Sequence, residues 1–384
     1  MMVLHPQWLV HEAVQSFIRI AVDASLEIRF VGGAVRDAVL DTVLGQPFVY
    51  VGVPSLDLDV TTPAVPHRVM EVYEQAGCKV VPTGLAHGTV TVRIADQSFE
   101  VTTLRADVAC DGRHAEVRFT DDWREDALRR DFTMNALMMD VAGNIYDAVG
   151  GMDDACAGNI RFIGDPTQRI KEDYLRIIRF FRFYAAYGRV KPDAATYAAI
   201  MAERDGVTLL AQERIQHEMR KLLSTRRPDA AINAMYECGV LQLMTQLDAP
   251  PNHMPNIRPD VPINARFIPW MRLMALYPDA AEAIAIRWKC SKEVQRWMRA
   301  VWELNGSMME MLYRGGREKA YAAWWLRHHG VSEVDHQSLT ALDIPIFPIT
   351  GAMLRERGMN EGKEIGEALR AYEAKWIAAG FRFD

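Results

Sequence analysis

Two aspartates, Asp57 and Asp59, are separated by a single residue in an otherwise apolar stretch. In a β-strand, residues two positions apart face the same side. Leu56, Leu58 and Val60 would then face the core, while both carboxylates point into one cleft. Two hard oxygen ligands held together suit Mg²⁺, which proteins bind through one or two carboxylates plus substrate phosphates. Taken alone, the spacing fits an Asp-rich surface turn at least as well.

A glycine turn precedes these aspartates. Residues Glu27–Val31 predict a buried strand, which runs into Gly32 and Gly33 and then into a helix from about Ala34. A strand, a glycine turn and a helix N-terminus together form a phosphate-binding element, because small residues let backbone N–H groups approach the anion. Arg36 would add a charged fork to the same phosphates. An ordinary tight turn explains the two glycines equally well.

The next hundred residues predict a mixed sheet that carries helices. A helix is expected from Thr62-Pro63 to about Ala76, because a threonine cap and a first-turn proline open it. Strands are predicted near 78–81, 89–94 and 99–103. Glu100, on the last of these strands, is either a third acid of the cleft or a solvent-facing strand residue.

Two polar stretches follow the predicted sheet. Residues 105–123 predict a polar loop, with Asp111-Gly112 as a turn signal, and long loops beside a cleft are often functional. Arg129, Arg130 and Asp131 then stand directly before an apolar run. They either cap a helix or contact the sugar and phosphate of a nucleotide.

A helix predicted over Ile170–Tyr187 carries Asp173 and Arg176, which lie on one face at i, i+3. An intrahelical ion pair, with Arg179 solvated, is one interpretation. The other is chemical: a carboxylate accepts from an exocyclic amine, and a guanidinium donates to a ring nitrogen or carbonyl. This pair would accept cytosine and adenine, and it would reject uracil and guanine, which place a carbonyl against the carboxylate.

Composition and charge restrict the class of protein. The 384 residues are 49% hydrophobic and 24% charged, which is ordinary for a globular protein. The net charge of −6 means that a nucleic-acid partner needs a segregated basic face, and residues 161–191 supply one, with eight basic residues against three acids. The five cysteines form no C-x-x-C pair, so we expect no zinc site or disulfide framework. We also expect no signal peptide, no membrane span and a cytoplasmic location.

These signals occur in an order that resembles the bacterial class II tRNA nucleotidyltransferases, the CCA-adding enzyme and poly(A) polymerase family of the polymerase-β superfamily. The similarity covers about residues 28–223. It rests on five motifs, which are GGAVRD with the Asp57-x-Asp59 pair, RRDFTMNA from Arg129, DAVGGMDD from Asp147, EDYLR from Glu172 and ERIQHEMRKLL from Glu213. More residues than in the family's pattern separate Asp37 from Asp57, which indicates a local insertion at about 40–54.

The resemblance implies an α+β fold. An N-terminal nucleotidyltransferase head with a mixed β-sheet and helices (1–145) would be followed by an all-α neck that recognises the base (146–225), a helical body (226–305) and a helical tail that binds tRNA (306–384).

The resemblance also implies roles for individual residues. Asp57 and Asp59 would hold two Mg²⁺ ions, one activating the 3′-hydroxyl of the primer and the other neutralising the triphosphate. Glu172 would hold Arg176. The nucleotide-binding residues would be Gly32, Gly33, Arg36, Arg129, Arg130, Asp131, Asn135, Glu172, Asp173, Arg176 and Arg179. A flexible loop with Asp111, Gly112 and Arg113 would help the switch from C to A. The residues expected to contact tRNA are Arg182, Arg220, Lys221 and Lys363.

The expected reaction is addition of C, C and A to the 3′ end of tRNA from CTP and ATP, with the acceptor and T arm gripped by phosphate contacts and the protein acting as a monomer. Enzymes that add only CC are expected to lack the flexible loop, and poly(A) polymerases of this family are expected to be longer and basic. Both remain alternatives, as does a catalytically silent tRNA-binding protein with the same fold.

Overall fold

The computed structural model describes residues 2–45, 58–110, 115–359 and 362–383. Their contacts divide the chain into two compact units, Met1–Pro251 and Asn252–Asp384. The first unit combines sheet and helices, and the described part of the second is helical, so the predicted α+β class is confirmed. The finer division at 145, 225 and 305 stays a prediction.

The first unit is built on a seven-stranded mixed sheet with the order β3-β4-β5-β2-β1-β8-β9. Only the β2–β5 pair is parallel among these described strands. A separate hairpin pairs β6 with β7. The strands are β1 (Arg29–Val31), β2 (Leu58–Thr62), β3 (Lys79–Gly84), β4 (Thr89–Ile94), β5 (Gln97–Thr103), β6 (Arg105–Cys110), β7 (Ala115–Phe119), β8 (Met138–Asp140) and β9 (Ile145–Tyr146).

One face of the sheet is the main core of the head. Leu58 and Val60 alternate with Asp59 along β2, and both are 1% exposed, as the alternating pattern predicted. They pack in one cluster with Phe17 and Tyr73, whose rings stack with centroids 4.8 Å apart. Asp59 therefore lies on the opposite face of the sheet, where its carboxylate is exposed.

Two sequence predictions in the head are wrong. The helix after β2 begins at Pro66 rather than at Pro63, because Thr62 ends the strand and its hydroxyl donates to the Glu27 carbonyl at 2.6 Å. Residues 105–123 are not simply a loop. They contain β6 and β7, which pair antiparallel from Arg105 opposite Phe119. Short strands of mixed polarity give a weak periodic signal, so the pattern favoured a loop.

The first unit contains eleven helices within the described residues, and one predicted helix is broken. The predicted helix over 170–187 is two helices, because Asp173 adopts an extended backbone (φ −157°, ψ 107°) and its carboxylate accepts from the backbone N–H of Leu175 at 3.1 Å. The helices are α1 (Glu12–Asp23), α2 (Gly33–Leu44), α3 (Pro66–Gln75), α4 (Trp123–Leu128), α5 (Gly151–Ala157), α6 (Pro166–Glu172), α7 (Leu175–Tyr187), α8 (Ala194–Glu203), α9 (Gln212–Leu223), α10 (Asp229–Glu237) and α11 (Val240–Thr245). Short 3₁₀ turns of this unit lie at Gln7–Val10, Leu85–His87, Thr133–Asn135 and Arg204–Leu209, and another lies at Ala265–Phe267 in the second unit.

Four tryptophans are part of the buried core of the second unit. Trp270, Trp288, Trp297 and Trp325 are each at most 5% exposed, whereas Trp302 is 48% exposed. None of the helices within the described ranges is long and apolar enough to cross a membrane. The helices are α12 (Ile268–Leu276), α13 (Ala281–Arg287), α14 (Lys292–Glu303), α15 (Met308–Arg327), α16 (Glu333–Ala341), α17 (Gly351–Glu356) and α18 (Lys363–Ala378).

Candidate active site

Asp59 and Glu100 lie side by side on the open face of the sheet. The two residues are register partners in the parallel β2–β5 pair, so their side chains point to the same side, and both are exposed. Hard carboxylate oxygens of this kind are suitable ligands for Mg²⁺. Asp57, the predicted partner of Asp59, lies outside the described residues. Within the described ranges, no group of three or more His, Cys, Asp or Glu side chains is arranged to hold a metal ion.

The predicted glycine turn adjoins this acidic face. Gly32 has φ +75° and ψ −129°, a conformation open mainly to glycine, and it caps the N-terminus of α2 at Gly33. A Cβ atom added to Gly32 would lie 3.7 Å from Asp59 Oδ2. The helix N-terminus, with its unpaired backbone N–H groups, therefore stands next to the acidic strand.

Arg36, which was predicted to contact phosphates, binds groups within the protein. Its side chain is buried, and it donates from Nε to Asp37 Oδ1 at 2.9 Å and from Nη1 to Asn135 Oδ1 at 2.6 Å. It also donates to the Tyr187 hydroxyl, and its guanidinium carbon lies 4.0 Å from the centre of that ring. In this structure Arg36 therefore binds protein acceptors and connects α2 to α7, and its phosphate contact stays a prediction.

Asp131 is the centre of a buried polar network. Its carboxylate accepts from Asn135 Nδ2 at 3.1 Å, from Arg179 Nε at 2.7 Å and from the backbone N–H of Phe132 at 2.9 Å. Burial alone would raise the pKa of Asp131, but the charge of Arg179 and these hydrogen bonds outweigh it and lower the pKa to about 2. Arg179 Nη1 also lies 3.6 Å from Glu218 Oε1. The hydrogen bonds to Asp131 thus bring the predicted residues Asp131, Asn135 and Arg179 together.

Asp126 holds the two arginines of the same motif. It is fully buried, and its two oxygens lie 2.6 Å from Arg129 and 2.8 Å from Arg130. Burial opposes ionisation of Asp126, but the charges of Arg130 and Arg129 outweigh it, and its pKa is lowered. Burial also lowers the pKa of Arg129, to about 10. Asp126 therefore fixes both predicted nucleotide-binding arginines.

The EDYLR segment has the internal contacts that the resemblance implies. Glu172 pairs with Arg176, which also donates to the Arg169 carbonyl at 2.8 Å. Asp173 does not pair with Arg176 at i, i+3. Its Oδ2 accepts from Arg214 of α9 at 2.7 Å. The interpretation as an intrahelical ion pair is therefore wrong, and both side chains are held by other partners.

The residues predicted to contact tRNA differ in their exposure. Arg182 is 7% exposed and its Nε lies 3.1 Å from Glu218 Oε2, so its side chain is buried against α9 and its contact with tRNA stays a prediction. Arg220 and Lys221, at the end of α9, are half-buried, and burial lowers the pKa of Lys221. Lys363 is exposed at the start of α18. The predicted loop residues Asp111, Gly112 and Arg113 lie outside the described residues.

Three residues with clear positions in the site were not predicted as site residues. Asp126 precedes Arg129 and Arg130 by three and four positions, a helical spacing that could have indicated the pairing. Tyr187 and Arg214 offer no such local signal, because each contacts residues far away in sequence.

The chain is similar to known proteins over almost its whole length. Residues 28–161 match the poly A polymerase head domain, and residues 190–247 match a domain described as the probable RNA and SrmB-binding site of polymerase A. The mitochondrial CCA tRNA nucleotidyltransferase 1 of Mus musculus is 31% identical, with 98% of this chain and 89% of the relative covered. The CCA-adding enzyme of Bacillus velezensis is 32% identical over 91% of this chain and 89% of the relative.

A solved structure extends the similarity to three dimensions. The CCA-adding enzyme of Bacillus stearothermophilus, in complex with CTP, superposes with a TM-score of 0.72 at 26% identity, covering 96% of this chain and 93% of that one. The family models, the relatives and the solved structure all confirm the predicted resemblance, and the chain belongs to the family of CCA-adding tRNA nucleotidyltransferases.

Proposed function

We propose that this protein adds C, C and A to the 3′ end of tRNA, using CTP and ATP and no nucleic-acid template. In each step the oxygen of the terminal 3′-hydroxyl forms a bond to the α-phosphorus. The bond from that phosphorus to the oxygen that bridges it to the β-phosphorus breaks, pyrophosphate leaves with the electron pair, and the hydroxyl proton passes to solvent. The observation that carries the proposal is that Asp173 and Arg176, an acceptor beside a donor, are each held in place by other groups of the protein.

The acidic face of the sheet is the proposed reaction centre. Asp57 and Asp59 would hold two Mg²⁺ ions, which supply activation of the hydroxyl and neutralisation of the triphosphate when bound. The exposed carboxylate of Asp59 and the adjacent Glu100 are suitable donors for such ions. The backbone N–H groups at the start of α2, from Gly33 onward, would donate to the phosphates, whereas that of Gly32 donates to the Leu137 carbonyl.

The neck is the proposed site of base selection, and the end of the head is the proposed site of sugar selection. Arg129 and Asp131 would recognise the ribose, with Arg130 nearby, and Arg179 follows one helical turn after Arg176 on α7. The basic surface of the neck and tail would bind the acceptor and T arm through phosphates and shape. We further propose that the protein acts as a monomer in the cytoplasm, with the head, neck, body and tail boundaries given above.

The decisive experiment is incubation of tRNA lacking its last three nucleotides with Mg²⁺, CTP and ATP, followed by sequencing of the 3′ end. We expect CCA, whereas CC alone or a run of A would support the two other products. Binding of tRNA without any extension would contradict the proposal. The Asp59→Ala variant should abolish extension, and chelation with EDTA should stop the wild-type reaction reversibly.

A second experiment tests base selection. Asp173→Ala should lose its preference for CTP and ATP over UTP and GTP, because the carboxylate that accepts from the exocyclic amine is gone. Unchanged discrimination among the four nucleotides would show that Asp173 does not select the base.

A further inference from the structure

Asp173 has two separate hydrogen-bond donors, one on each carboxylate oxygen. The backbone N–H of Leu175 donates to Oδ1 at 3.1 Å, and Arg214 Nη2 donates to Oδ2 at 2.7 Å. The first donor belongs to the start of α7, and the second comes from α9, forty-one residues later in the chain. The plane of the carboxylate is therefore fixed by two different helices.

Arg176, the other half of the pair, is held in a matching way. Glu172 accepts from it, and the carbonyls of Arg169 and Arg129 accept at 2.8 and 3.4 Å. Each half of the pair thus has a partner of opposite charge, with Glu172 on the guanidinium and Arg214 on the carboxylate. Asp173 and Arg176 are called the template pair below.

We propose that Arg214 is a positioning residue that sets the orientation of Asp173 and through it the rejection of uracil and guanine. The inference rests on the proposed function, since it concerns the base-selecting role of the template pair. Each carboxylate oxygen has about two lone-pair sites, so one site on each remains after Leu175 and Arg214 have donated. The fixed direction of these remaining sites decides whether an exocyclic amine is accepted and whether a carbonyl is repelled.

Loss of Arg214 would leave Asp173 with one donor of its two. Asp173 lies at the junction of α6 and α7 with its side chain 31% exposed, so nothing of comparable strength would prevent its rotation. A rotated carboxylate no longer opposes the carbonyl of uracil or guanine. We therefore expect kcat/KM for UTP and GTP to rise by a larger factor than that by which kcat/KM for CTP and ATP falls.

A purely structural role predicts something different. The Arg214 side chain is 47% exposed, so its truncation creates no buried cavity, and exposed ion pairs contribute little to folding. A local disturbance of α9 would lower the rate with all four nucleotides by the same factor. The ratio between correct and incorrect nucleotides is therefore the informative quantity.

The test measures kcat/KM for CTP, ATP, UTP and GTP on tRNA lacking its tail. Arg214→Ala should reduce the preference for CTP over UTP and for ATP over GTP by about tenfold, since a hydrogen bond to a charged group is of that strength. Arg214→Lys, which keeps the charge and a donor, should restore part of the preference. Arg19→Ala removes another exposed helical guanidinium, one that donates to Ser16 on α1, and should leave the preference unchanged.

The outcomes separate this inference from the proposed function. If Arg214→Ala lowers all four values equally while Asp173→Ala abolishes the preference, the template pair stands and the role of Arg214 is refuted. If Asp173→Ala also leaves the preference unchanged, the base-selecting function itself fails. Melting curves of each variant establish that the compared proteins are folded.

Discussion

Replacing Asp126 by asparagine removes the negative charge that pairs with Arg129 and Arg130, with almost no change in the volume of the side chain. The carboxylate is fully buried, and it lies 2.6 Å from Arg129 and 2.8 Å from Arg130. An amide keeps one acceptor oxygen and turns an NH₂ group toward a guanidinium. The substitution therefore leaves two partly buried positive charges beside each other with no buried counter-charge between them.

The magnitude follows from this burial. Removing one partner of a buried ion pair destabilises a protein by roughly 3–5 kcal/mol, because the remaining charge stays desolvated. Arg129 and Arg130 keep 15% and 19% of their side chains exposed, so water stabilises them in part. We expect the free energy of unfolding to fall by about 3 kcal/mol, and nucleotide affinity to fall with it.

Urea denaturation followed by circular dichroism measures this loss. The matched control is Asp122→Asn on the same helix, where the carboxylate accepts from the backbone N–H of Arg124 at 2.7 Å as an N-cap. Asparagine caps a helix as well as aspartate does, so the control should change stability by only a few tenths of a kcal/mol. A loss below about 1 kcal/mol for Asp126→Asn would refute the claim that its charge holds the two arginines.

Three further predictions concern the buried network and the glycine turn. Tyr187→Phe removes the hydroxyl that accepts from Arg36 and should lower the free energy of unfolding by about 1–3 kcal/mol in denaturant melts; an unchanged midpoint would contradict it. Arg179 and the hydrogen bonds lower the pKa of Asp131 to about 2, so the stability that the ionised carboxylate contributes is complete above pH 4 and is lost as the pH falls toward 2. The free energy of unfolding should drop by roughly 2 kcal/mol over that range, and this drop should be absent from Asp131→Asn. Gly32→Ala should destabilise by about 1–3 kcal/mol because of its positive φ, and activity should fall even where the protein remains folded; a fully active variant would argue against the phosphate role of the turn.

The sequence was sufficient to predict those parts of the site that depend on local patterns. Alternation placed Leu58 and Val60 in the core and Asp59 on the opposite face, and the glycine turn led into a helix as expected. The resemblance implied the contact between Glu172 and Arg176, and the structure contains it.

Contacts between distant residues were beyond this kind of prediction. An arginine that follows a glycine turn is typical of a phosphate site, but Arg36 is bound inside the protein by Asn135 and Tyr187, which are 99 and 151 residues away. Asp173 and Arg176 have the spacing of an intrahelical pair, but the helix breaks at Asp173 and its partner comes from α9. Periodicity reports which side of an element is apolar, and it carries no information about which distant element packs there.

Helix α7 has a consequence for the tolerance of the chain to changes in length. Arg176 is near its beginning and Tyr187, which binds Arg36 at the glycine turn, is its last residue. The eleven steps from one residue to the next between these positions set an axial separation of about 16 Å, at 1.5 Å per residue. One inserted residue would rotate Tyr187 by about 100° away from Arg36, and a whole inserted turn would restore the direction but add about 5 Å. Substitutions on the outer side of α7 should therefore be accepted, whereas insertions and deletions of any length should not.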